Sequence, residues 1–130
     1  MARAWNNKDW VIGNGDAVDI RAGTAVYIAG PMTGMPDYNR GEFLSAEDFF
    51  EQEGALVLNP ARLPVGLPDK AYMPICLAML NQADVVAILP GWQESMGSLA
   101  EMFFATKQGK KFLYLKRTEP QPNGVRVEKE

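Results

Sequence analysis

The chain of 130 residues contains no histidine and a single cysteine, Cys76. The first absence excludes Ser-His-Asp and Cys-His catalysis and the usual histidine-based metal sites. Acid–base and nucleophilic chemistry must then fall to carboxylates, lysine, tyrosine or hydroxyls. One cysteine permits no internal disulfide framework and fits a reducing compartment. Inside an apolar helical pattern it reads as core. Long apolar runs are missing as well: none approaches the roughly 20 residues of a membrane span. The opening MARAWNNKDWVIGNG lacks the apolar stretch of a signal peptide. A cytoplasmic protein without membrane contacts is the expectation. Charge is sparse, with 13 basic and 16 acidic side chains and a net charge of -3. That balance argues against a nucleic-acid polymer as partner. The pair Lys110 and Lys111 reads as a solvated strand entry. Neither a Walker A loop nor GxGxxG is present, and no cofactor or metal is expected.

What is present is an ordered alternation. Hydrophobic residues make up 47% of the chain, enough for one compact core. Residues 1–22 read as an extension in which Trp5, Trp10, Val11 and Ile12 could pack on the body, while 13-GNGD-16 breaks any long element. Residues 23–117 carry the domain, and 118–130 read as a polar tail with a short strand possible at 125–127. Within the domain, 24-TAVYIAG-30, 55-ALVLNP-60, 84-DVVAILP-90 and 111-KFLYL-115 read as strands. Residues 39–53, 70–82 and 96–108 read as helices, with Pro74 expected in the first turn of the second. The strands are continuous apolar runs, not alternating ones. That argues for a small, doubly wound α/β fold of flavodoxin or Rossmann type, a parallel sheet flanked by helices. Ligands of such sheets bind at the carboxyl ends of the strands.

Three loops leave those ends. The first, within 27-YIAGPMTGMPDYNR-40, offers Gly30 for close backbone approach, Pro31 to fix the turn, then Met32, Thr33 and Gly34. It could wrap a ligand or be an ordinary long connector. The second, 59-NPARLPVGLPD-69, starts with Asn59 and is longer than most such connections. It is either functional or a surface excursion. The third, 90-PGWQESMGSLAEMFFA-105, places Trp92, Ser95, Gly97 and Ser98 at the start of a helix and Glu101 in its first turns. Free amides and the helix dipole there favour an anion. The plain alternative is that a serine caps the helix and Glu101 completes a capping box with Ser98.

Taken together, 27-YIAGP-31, 59-NP-60, 83-ADVVAILPGW-92 and 95-SMGSLAEMFFA-105 resemble the nucleoside 2-deoxyribosyltransferase-like superfamily. They look closest to its small phage- and bacteria-associated branch with a GPMTG-type first loop. The resemblance spans about residues 24–115. It implies a Rossmann-like sheet, homodimers and cleavage of the base–sugar bond of a nucleoside or its 5′-monophosphate. It also implies roles: Glu101 attacks the anomeric carbon, Tyr27 orients that carboxylate, and Asp84 matches an aspartate near the site that assists the leaving base. The transferases carry an aspartate six positions before the nucleophile, where this chain has Ser95. A serine there resembles the nucleoside 5′-monophosphate N-glycosidases, in which hydroxyls and helix-end amides hold the phosphate. Asp84 begins a strand, so it falls at the amino end of the sheet, and Asp37, Asp69 and Glu94 are other carboxylates a loop could bring in. Arg40 could pair with a phosphate or lie on its helix surface.

The expected function is hydrolysis of the base–sugar bond of a (deoxy)nucleoside 5′-monophosphate. A 2-deoxyribosyltransferase and a non-catalytic nucleotide binder are the alternatives. Self-association is expected from the aromatics Trp5, Trp10, Trp92, Phe103 and Phe104, although the two phenylalanines could instead divide between core and surface.

Overall fold

The computed structural model describes residues 9–120 and 126–128. Six strands and three α-helices follow one another as β1 (Trp10–Gly15), β2 (Ala25–Ala29), α1 (Arg40–Glu51), β3 (Leu56–Leu58), α2 (Asp69–Asn81), β4 (Val85–Ile88), α3 (Met96–Lys107), β5 (Lys111–Pro120) and β6 (Arg126–Glu128). The sheet order is β1-β5-β4-β2-β3, with β6 pairing β5. Strands β3, β2, β4 and β5 are parallel, while β1 and β6 run antiparallel to β5. This is the doubly wound α/β sheet expected. The chain leaves β2 outward to β3 and returns to β4 on the other side of β2. The crevice between the carboxyl ends of β2 and β4 is therefore the switch point where such folds bind ligands.

Alternation along the strands divides the core in two. Val26 and Ile28 of β2, with Val85 and Ala87 of β4, pack against Phe43, Ala46 and Phe50 of α1. Tyr27 and Ala29, with Val86 and Ile88, face Cys76 and Leu80 of α2 and Met102 and Ala105 of α3. Phe43 and Phe50 are each at most 1% exposed, and burying such a side chain contributes about 2–3 kcal/mol. The alternation has one direct consequence for function: it turns Tyr27 toward α3.

Three elements differ from the sequence reading. β1 runs through the Gly/Asn-rich stretch instead of ending at it. A register shift between Ile12 and Asn14 absorbs Gly13, so the glycine makes a bulge in a strand that β5 supports. Trp10 of this strand is buried, donates Nε1–H to Ser45 Oγ at 2.9 Å and lies under the Arg117 guanidinium. Trp5 lies outside the described residues. β5 continues past Leu115 to Pro120, and the short strand expected at 125–127 is β6, at Arg126–Glu128. Polar Lys116, Arg117 and Thr118 hide that extension from an apolar-run criterion. Pro74 sits in the second turn of α2, not the first, on the exposed side where its missing N–H meets solvent.

Lys110 is also more than a solvated charge. Its Nζ donates to the carbonyls of Asn81 at 3.0 Å and Ala83 at 2.6 Å, tying down the end of α2. Between β2 and α1, Asp37, Tyr38 and Asn39 all take left-handed backbone angles, with φ of 50, 54 and 60°.

Candidate active site

A cavity of about 400 Å³ opens at the β2/β4 switch point. Gly30 and Met32 after β2, Pro60 after β3, and Glu94, Ser95, Gly97, Ser98 and Glu101 after β4 line it. All three strand-end loops therefore converge, as the topology requires.

Glu101 stands at the inner wall. It lies in the second turn of α3, on the face that packs on the sheet, and is 7% exposed. Tyr27, fully buried on β2, donates its hydroxyl to Glu101 Oε2 at 2.7 Å. Among the described residues Oε1 has no hydrogen-bond donor. The carboxylate of this cavity-lining residue is thus held through one oxygen. The capping-box alternative fails here: Ser95 is the residue that caps α3, its Oγ accepting from Ser98 N at 3.1 Å. Glu101 reaches the sheet instead of the helix end.

Burial raises the Glu101 carboxyl to about 7, with the Tyr27 hydrogen bond opposing the shift. Burial and the facing carboxylate push the Tyr27 hydroxyl far above its ordinary range, so it remains a donor at any working pH. The Cys76 thiol, on the same cavity wall, is also pushed up, chiefly by burial. It is a poor nucleophile there.

At the mouth, the first amides of α3, those of Met96 and Gly97, have no intrahelical acceptor because they open the helix. They form an anion-welcoming end about one turn from Glu101. Ser98 is 1% exposed, and its Oγ has no hydrogen-bond partner.

Other candidates go elsewhere. Asp84 sits at the amino end of the sheet, where its Oδ2 accepts from Ala25 N at 2.9 Å. A residue heading a strand cannot reach the carboxyl-end cavity, so Asp84 does not join Glu101. Asn59 is buried and already used: its Nδ2 donates to Phe43 O at 3.1 Å and Glu47 Oε1 at 2.9 Å, and its Oδ1 accepts from Ala61 N at 2.9 Å. Arg62 completes this cluster, donating to Glu47 Oε2 at 2.6 Å and holding that carboxyl below its usual range. Asn59→Ala strands several of these groups and is expected to lower the unfolding free energy by about 2–3 kcal/mol, read by urea denaturation. Wild-type stability in that variant would show that the network does not hold the loop.

Trp92 faces a separate cavity of about 840 Å³ on the far side of its loop, 5.7 Å from the Tyr114 ring. That larger space is lined by no carboxylate, whereas Glu94 and Glu101 line the smaller one. Pro31 packs against Gly91, and its carbonyl accepts from Asn39 Nδ2 at 2.9 Å. Gly30 is needed by the fold itself, because a Cβ there would lie 2.8 Å from Leu89 Cβ. Arg40 pairs with Asp37 at 2.8 Å. Asp69 opens α2 in its first turn. Of the loop carboxylates, Glu94 is the one that reaches the Glu101 cavity. The α2 contribution of Tyr72, Met73 and Cys76 was not anticipated. The helical pattern marked that face as core, and only the closeness of α2 to the start of α3 turns its upper end into cavity wall.

The doubly wound sheet is 2-deoxyribosyltransferase-like in fold. The 2-desoxiribosyltransferase from Leishmania mexicana is similar in structure, with a TM-score of 0.58 over 82% of this chain and 79% of that one, at 18% sequence identity. The family model for DUF4406, a domain of unknown function, matches residues 24–114, and the chain belongs to that family. No curated protein matches it in sequence. Among the described residues no helix is long and apolar enough to cross a membrane.

Proposed function

We propose that this protein is an N-glycosidase that hydrolyses the base–sugar bond of a (deoxy)nucleoside 5′-monophosphate. The observation that carries the reading is the 2.7 Å bond from Tyr27 to Glu101 on the wall of the switch-point cavity. It leaves one carboxylate oxygen for C1′. In this mechanism Glu101 Oε1 bonds to C1′ as the C1′–N bond breaks, and the electron pair leaves with the base. A proton donor must meet that pair, and Glu94, the other carboxyl lining the cavity, is proposed as that donor. Water then adds its oxygen to C1′, breaks the glycosyl ester and returns a proton to the carboxylate that gave one. The amides of Met96 and Gly97 and the Ser95 hydroxyl hold the 5′-phosphate.

Incubation with nucleosides and their 5′-monophosphates, with released base resolved by chromatography, tests this directly. Base release from monophosphates in preference to nucleosides supports it. A swapped nucleoside formed in the presence of a second free base marks the 2-deoxyribosyltransferase alternative. Recovery of every tightly bound nucleotide intact would leave the non-catalytic binder and reject both enzymes.

The same reading includes a homodimer. Trp10 is buried and Trp92 and Phe104 are half-buried, so the aromatics do divide, but Phe103 is 69% exposed and Met96 82%. With Leu99 they share one flank of α3, an apolar stripe on which a second copy could pack.

A further inference from the structure

We infer that Ser98 reads the 3′-hydroxyl of the sugar and thereby restricts the protein to free mononucleotides. The inference rests on the N-glycosidase reading and deepens it.

Ser98 is the one described residue on the cavity wall whose buried polar atom has no partner: its Oγ makes no hydrogen bond, and the residue is 1% exposed. A buried hydroxyl left unpaired costs about 1–3 kcal/mol. Beside a cavity, a ligand group that pairs with it would remove that cost.

The geometry says what that something is. Ser98 precedes Glu101 by three positions, so both side chains lie on one face of α3. A rise of 1.5 Å per residue sets Ser98 about 4.5 Å nearer the helix N-terminus. In a β-nucleotide the base projects from one face of the furanose, and the carboxylate must attack C1′ from the other. The 3′ oxygen, and the 2′ oxygen where present, project on that same attacked face. With C1′ above Glu101 and the 5′-phosphate at the first amides of α3, the ring's C3′–C4′ side lies toward Ser98. The 3′-hydroxyl then meets Ser98 Oγ, each able to donate to or accept from the other.

A buried partner for a free hydroxyl also excludes its ester. Within a DNA or RNA strand the 3′ oxygen carries a phosphodiester, which can no longer donate and which would set a bulky charged group beside a side chain that is 1% exposed. Free monomers with a 3′-hydroxyl fit, whether or not O2′ is present. Dideoxynucleotides leave Ser98 orphaned as before.

Binding is measured by calorimetry in the Glu101→Gln background, so that turnover does not blur it. The probes are the four common 2′-deoxynucleoside 5′-monophosphates and their 2′,3′-dideoxy counterparts. Loss of the 3′ oxygen is expected to weaken binding about tenfold when Ser98 is present, and less than about twofold after Ser98→Ala. Equal discrimination with and without Ser98 overturns the inference while leaving the N-glycosidase reading intact. Binding of no nucleotide by either protein overturns both. Ser98→Ala without ligand is expected to unfold at or above the parent temperature, since it removes an unpaired buried group. Should it fail to fold, Ser98→Cys, close in shape and a weak donor, is held to the same loss of discrimination.

Discussion

Glu101→Gln is expected to lower base release by about four orders of magnitude or more, the scale seen when a covalent nucleophile is removed, while nucleotides still bind. The amide keeps the shape of the carboxylate and can still accept from Tyr27, so the cavity is preserved and the attacking lone pair is lost. Turnover of any substrate at the parent rate would remove Glu101 from the mechanism. The same substitution has a second, opposite effect. Glu101 titrates at about 7 in the fold, against an ordinary value of 4.5, because burial disfavours its charge. A raised folded value means that the folded state holds the proton more tightly than the unfolded chain. The stability tied to it is full below about 4.5, is lost as pH rises between 4.5 and about 7, and stays lost above. Glutamine never ionises and escapes that loss. The variant is therefore expected to be on the order of 3 kcal/mol more stable than the parent at pH 8 and nearly equal to it at pH 4, by urea denaturation at both values. A buried group that destabilises its own fold is the pattern of a site kept for function. A structural ion pair would show the reverse.

Tyr27→Phe is the second large effect. Tyr27 is fully buried, and its ring belongs to the core between β2 and α2. Phenylalanine retains the packing and removes only the hydroxyl. Base release near neutral pH is expected to fall about a hundredfold. Two causes combine. The carboxylate loses the donor that fixes its orientation, and it loses the one contact that opposes its raised titration. In the parent, the limb of the kcat/KM profile that follows Glu101 ionisation should climb tenfold per pH unit below about 7, while the proton donor to the leaving base shapes the opposite limb. In Tyr27→Phe the rise should move to higher pH. An unchanged pH profile with a lower rate would mean that Tyr27 contributes packing alone.

The inner parallel strands β2 and β4 were legible because they are buried on both faces, and a strand such as Val85–Ile88 leaves no polar residue to confuse its pattern. Once that alternation is read, the carboxyl-end loops and the placement of Glu101 follow from topology. What stayed hidden depends on neighbours that are remote in sequence. β1 is a strand because β5 offers it a partner, and its own glycines suggest a turn. Asn59 looks like a ligand contact at a strand end until Glu47, from another element, occupies its amide. Asp84 could be placed at the wrong end of the sheet from the strand reading alone, and its bond to Ala25 N fixes it there. Trp92 and Ser95 are three residues apart, yet the tight turn Trp92–Glu94 between them sends them to different cavities.

The two outermost strands bear on how this protein behaves in concentrated solution. One flank of the sheet ends in β3, only three residues long, and the other in β1, whose bulge at Gly13 twists the row of backbone groups that an incoming chain would have to match. Neither flank is a good template for adding strands from a neighbour, so fibrous growth by sheet extension is disfavoured at both borders. A contact through side chains on the helices, as in the proposed dimer, is self-limiting and closes with two copies.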